Sequence, residues 1–156
     1  MKQLSDLLLL ILLSCNMNNT NTIDTIKQDP NEIDAIKKIL SSQQKCWNNG
    51  DIEGFMQGYW NSEELIFTSL SHKPAYGWKN TLERYKNSYL TKSSMGELNF
   101  EILNLKLISR TTARLKGKWE LIREKDNPNG LFWLDIEKFD NNWLITKDST
   151  ISFDDQ

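Results

Sequence analysis

The chain has 156 residues, 38% hydrophobic, 26% charged and 10% aromatic, with 19 Lys+Arg, 21 Asp+Glu, two Cys and one His. That length suits one domain with a real core, and a net charge of −2 excludes the electrostatic footprint of a general nucleic-acid binder. The Cys and His counts exclude a multi-histidine or four-cysteine zinc site and a disulfide scaffold, so neither metal nor cofactor is expected.

The first element is an address. Leu7-Leu8-Leu9-Leu10-Ile11-Leu12-Leu13 is an unbroken apolar run ending in Ser14-Cys15. It is far shorter than the roughly 20 residues a spanning helix needs, and it fits the h-region of a secretory signal. Leu12-Leu13-Ser14-Cys15 resembles a bacterial lipobox, in which the cysteine receives the lipid. The reading is a signal peptide over 1–14, lipidation at Cys15, a flexible polar tether over 15–28 and a folded unit over 29–153. It places the protein in a bacterial cell envelope, attached to the membrane through Cys15.

Asp29-Pro30-Asn31-Glu32 predicts a helix start, with Asp29 as cap and Glu32 closing a capping box. Ile33, Ile36, Leu40 and Trp47 follow at helical spacing, and Gly50 ends the helix. Asp51 opens a second helix with a stripe of Ile52, Phe55, Met56, Tyr59 and Trp60. Leu65 to Thr68 reads as a short strand, and a third helix runs from about Gly77 to Leu90. From Leu98 onward the period becomes that of strands. The alternation slips at Ile102-Leu103 as a bulge does, and continues through Thr112–Arg123, Leu131–Phe139 and Trp143–Ser152. The expected class is α+β: three N-terminal helices packed on a curved antiparallel sheet that forms a cone.

Trp47-Asn48-Asn49-Gly50-Asp51, Tyr76 to Tyr85, Gly130-Leu131-Phe132-Trp133-Leu134 and Trp143-Leu144-Ile145 resemble motifs of the SnoaL-like, or nuclear transport factor 2-like, superfamily. The likeness is to its domain of unknown function 4440 branch and covers roughly residues 29–152. It implies a cystatin-like cone whose interior holds any chemistry. The superfamily includes isomerases, dehydratases and non-catalytic binding modules, so the fold fixes the place and not the reaction. Relatives of this branch often end Asp-His-Thr-Ser, where this chain has Asp148-Ser149-Thr150-Ile151. The missing histidine counts against acid–base chemistry at that position.

Trp60, Tyr76, Trp78, Tyr85 and Tyr89 are the expected pocket lining, since Trp and Tyr each offer an apolar face and a polar tip. Trp47 and Phe55 read as plain core. Among carboxylates Asp148 is the best catalytic candidate, ahead of Glu64 and Glu101, with Tyr85 or Tyr89 able to donate to an oxyanion. The plainer reading of Asp148 is a strand-end residue bonded to backbone or paired with Arg84. Lys116, Lys118, Glu120, Asp135 and Glu137 form a solvated outer sheet face, or the face on which two copies pair. The function expected is binding of a small, largely apolar molecule inside the cone. A non-catalytic interaction module working through its sheet face, or a weak isomerase or dehydratase, stands as the alternative. The balance leans away from catalysis.

Overall fold

The computed structural model describes residues 27–70 and 72–153. The signal segment 1–14, the lipidation site Cys15 and the tether up to residue 26 lie outside the described residues. Gln28, assigned to the tether by sequence, donates its side-chain amide to the Leu107 carbonyl (3.0 Å) and accepts from the Leu107 N–H (2.8 Å).

Helix α1 (Pro30–Asn48) starts where the sequence places it, with the Asp29 carboxylate accepting from the Asn31 N–H at 2.9 Å. Glu32 closes no capping box. Its carboxylate accepts instead from Lys138 Nζ and Trp143 Nε1, each at 2.6 Å, because a charged ammonium and an indole N–H together hold it better than one backbone amide. Gly50 takes the left-handed conformation (φ 79°) that reverses the chain, and Asp51 caps α2 (Ile52–Met56) by accepting from the Gly54 N–H at 2.7 Å.

The predicted second helix is therefore cut to five residues. Gly54 and Gly58 weaken helix continuation, and the main chain of 58–60 pairs with a strand instead. The Ile145 N–H donates to Gly58 O (3.0 Å), and the Trp60 N–H donates to Ile145 O (2.9 Å). This extended stretch lays Tyr59 beside Ile145.

The remaining elements are β1 (Ile66–Ser69), β2 (Ala75–Tyr76), α3 (Trp78–Ser88), the short α4 (Lys92–Met95), β3 (Glu97–Leu107), β4 (Thr112–Ile122), β5 (Asn129–Phe139) and β6 (Asn142–Ser152). One six-stranded sheet runs β2-β1-β6-β5-β4-β3. β3 to β6 form the expected antiparallel meander, but β1 joins β6 in parallel, so the sheet is mixed. The parallel pair follows from connectivity, since α3 and the meander separate β1 from β6.

Two register shifts bend this sheet. One lies at Ile102/Asn104 and leaves Leu103 as the extra residue, where the sequence slip predicts it. The second, between Asp135 and Ile136 of β5, leaves Thr146 of β6 without a partner. Trp143 and Ile145 are buried before it, and Asp148 after it. Thr146 thus shifts the strand's phase by one residue, so that Asp148 rather than Lys147 meets the interior. The concave face closes over α1, α2 and α3, and the core of Ile36, Leu40, Met56, Leu65, Leu115, Ile136 and Ile145 lies between them.

Candidate functional site

The sequence Trp47-Asn48-Asn49-Gly50-Asp51 fixes α1 on the sheet edge. Trp47 Nε1 donates to the Met95 carbonyl (3.2 Å). Asn48 donates to the Leu98 carbonyl (3.0 Å) and accepts from the Leu98 N–H (2.7 Å). Gln44 accepts from the Phe100 N–H at 3.0 Å. These amides satisfy main-chain groups that edge strand β3 would otherwise leave unpaired, and they hold the helix above the concave face.

Between helix and sheet lies a cavity of about 130 Å³. Leu40, Gln43 and Trp47 of α1, Phe55 of α2, Tyr59, Phe67 of β1, Tyr85 of α3 and Tyr89 just after that helix form one side. Leu98, Phe100, Trp119, Leu121, Phe132, Leu134, Ile145, Asp148 and Thr150 of β3 to β6 form the other. Nine of these seventeen side chains are aromatic. The Phe132 ring lies over Gly117, where a Cβ would come within 2.2 Å of its Cζ, so only glycine fits beneath that wall.

Asp148 is the polar centre of the cavity. Only 6% exposed, it accepts through Oδ2 from the Tyr59 hydroxyl at 2.7 Å. The Tyr59 and Tyr85 hydroxyl oxygens lie 3.4 Å apart. Asp148 Oδ1 has no hydrogen-bond partner. Burial pushes the Asp148 carboxyl from its ordinary 3.8 up to about 7, while the Tyr59 hydrogen bond acts in the opposite direction. The Tyr59 and Tyr85 phenols are held well above their ordinary value, by burial first and then by the Asp148 charge. At neutral pH both tyrosines are donors, and the Asp148 carboxyl is divided between its protonated and ionised forms. A carboxyl poised near 7 with one oxygen free suits general acid–base work.

Asp148 is thus neither a strand-end residue bonded to backbone nor a partner of Arg84. Arg84 donates to the Lys73 carbonyl (2.8 Å) and Ser69 Oγ (3.0 Å) and covers the Phe67 ring at 4.9 Å. Of the expected lining, Tyr85 and Tyr89 face the cavity. Trp60 stacks on Phe139 instead (4.9 Å, 15°), because the short α2 turns it aside. Tyr76 is 59% exposed on the edge strand β2. Trp78 starts α3 and donates Nε1 to the Met56 carbonyl at 3.0 Å, closing the α2–α3 contact. Glu64 and Glu101 are exposed. Trp47 and Phe55, read as plain core, line the cavity, as does Tyr59, whose contact with Asp148 spans 89 residues. The extended course of residues 58–60 creates that contact, and helical periodicity carries no sign of it.

No family profile matches the chain, and no curated protein does. Among solved structures, an NTF-2-like protein of unknown function from Shewanella oneidensis MR-1 is 42% identical, with 77% of this chain matching 98% of that one at a TM-score of 0.74. The chain belongs to the NTF2-like family. A ketosteroid isomerase-like protein from Erwinia carotovora atroseptica SCRI1043 (14% identity, 80% and 98% coverage, TM-score 0.67) shares the fold. So does a cystatin-like domain of unknown function from Nostoc punctiforme PCC 73102 (17%, 79% and 78%, 0.68). In this NTF2-like chain Ser149 pairs with Trp133 in the sheet and accepts from Thr68 Oγ1 at 3.0 Å. It lies on the face of β6 opposite Asp148, so a histidine at this position would point away from the cavity. Its absence therefore removes nothing from the site.

Proposed function

We propose that the cone binds a small, largely apolar molecule of about one ring, which turns a single polar group toward Asp148. The unpartnered, buried Asp148 Oδ1 carries this reading. The volume of about 130 Å³ lies well below the several hundred that drug-sized ligands occupy and close to the roughly 150 Å³ apolar cavity that takes up benzene in an engineered protein. Titrating the full chain with benzene and with naphthalene should raise the melting temperature saturably for the smaller ring alone. An unchanged melting temperature with both, and no small molecule carried through purification by mass spectrometry, would sink the reading.

The Asp148–Tyr59–Tyr85 arrangement supports a second reading, weak isomerase-type chemistry in which Asp148 takes a proton from carbon next to a carbonyl. Cyclopentanone in deuterated buffer should then exchange its α-hydrogens faster with the native chain than with Asp148→Asn. Equal rates by NMR would remove this reading and leave binding in place. The sequence Leu12-Leu13-Ser14-Cys15 supports an envelope lipoprotein anchored at Cys15. Trp133 (40% exposed) and Ile122 (42% exposed) support pairing of two copies through the outer sheet face, and sedimentation showing only monomer at every concentration would refute that pairing.

A further inference from the structure

We infer that the molecule taken up by the cone is a small organic cation, an alkyl- or arylalkylammonium of one-ring size, whose charged nitrogen meets Asp148 Oδ1 while its hydrocarbon lies among the aromatic rings. The inference rests on the pocket reading above and adds the charge of the ligand.

Three observations carry it. First, Asp148 lines the cavity and its Oδ1 is buried with no partner, and a buried carboxylate oxygen without a donor is costly unless something supplies one. Second, no Lys, Arg or His lines the cavity among the described residues, so the protein brings no counter-charge of its own. Third, Trp47, Phe67, Tyr85, Tyr89 and Trp119 surround the same space. Ring faces attract cations, most strongly when both are withdrawn from water. A carboxylate inside an aromatic box matches ammonium chemistry on both counts, whereas a neutral ring with no donor uses only the box.

The ionisable groups that meet this carboxylate are few. Tyr59 precedes β1, Tyr85 sits on α3 and Tyr89 directly follows it. α1 presents uncharged Gln43 and Trp47, and β1 and β3 to β5 present only uncharged side chains. Arg84 is turned to Ser69 and the Lys73 carbonyl. Asp148, poised at about 7, therefore reports the sign of the ligand's polar group. An alkylammonium stays charged through neutral pH and binds the ionised carboxylate, so its affinity rises with pH. A ketone accepts a hydrogen bond and needs the protonated carboxyl, so its affinity falls.

The test uses cyclopentylamine, cyclopentanol and cyclopentanone, which share one ring and differ in one group, titrated calorimetrically into the full chain. The amine should bind at least about tenfold tighter than either neutral probe at pH 8, and its affinity should rise about tenfold from pH 6 to pH 8 as the carboxyl ionises. Asp148→Asn should remove both the preference and the pH slope while still binding cyclopentanol. The native pH series decides the matter even where the variant does not fold. A ketone that binds tightest and weakens as pH rises overturns the cation inference and leaves the pocket standing. So does an alcohol that equals the amine at every pH. If none of the three binds and benzene does not either, cation and pocket readings fall together.

Discussion

Asp148 is the one acidic side chain in the buried set among the described residues, and its placement costs stability. Its folded pKa of about 7 stands above the ordinary 3.8, so between these values the native state keeps a proton that the unfolded chain has released. Stability from this group is therefore complete below about pH 4 and is lost as pH rises through 7. The shift corresponds to roughly 4 kcal/mol. Urea unfolding at pH 5 and pH 8 should show the native chain weakening across that window. Asp148→Asn should flatten the curve and leave the variant more stable at pH 8, its amide oxygen still accepting from Tyr59. A variant less stable than the native chain at pH 8 would contradict the burial argument. Sites that bind or react commonly sacrifice stability in this way.

At the scale of elements, the cavity exists because α1 is held off the sheet by side-chain amides. Asn48 satisfies both main-chain groups of Leu98, and Gln28 does the same for Leu107 at the far end of β3. Asn48→Leu leaves the two Leu98 groups unpaired and should cost about 2–4 kcal/mol, with faster amide exchange along β3. A change under about 0.5 kcal/mol, the size expected for an ordinary surface site, would show that the helix is held by packing alone. The boundaries of α1 and the four long strands were legible because their apolar positions repeat without conflict. So was the slip at Leu103, where two apolar residues stand side by side. The shift at Thr146 was readable only by elimination: strict alternation from Trp143 and Ile145 turns Lys147 into an apolar interior, which desolvation opposes. The end of α2 was not readable, because its stripe continues through Tyr59 and Trp60 while the backbone leaves the helix to pair with β6.

For the whole molecule, motif order sufficed to place the chain in its fold, and Asp148 was identifiable from its position on the last strand. The pocket wall was legible only in part. Tyr85 and Tyr89 reach the cavity, while Trp60, Tyr76 and Trp78 share their local pattern and face elsewhere, because short-range spacing does not encode which way a truncated helix turns. The domain's proposed attachment makes a prediction at this scale. Cys15→Ser should shift the protein from the membrane to the soluble fraction, since several acyl chains at about 0.8 kcal/mol per buried methylene anchor firmly. Unchanged fractionation would refute the anchor and leave the cone unaffected.

The unpaired Thr146 gives β6 the character of a reading frame. Upstream of it, the odd-numbered Trp143 and Ile145 face the interior; downstream, the even-numbered Asp148 and Thr150 do. An extra residue in β5 opposite Thr146 would restore plain pairing but break the inward alternation of Leu134 and Ile136, so one half of the strand pair would turn over. Deleting Thr146 would instead straighten the strand and keep Asp148 inside. The residue that β6 turns into the pocket is thus set by the length of the strand as much as by its residue types.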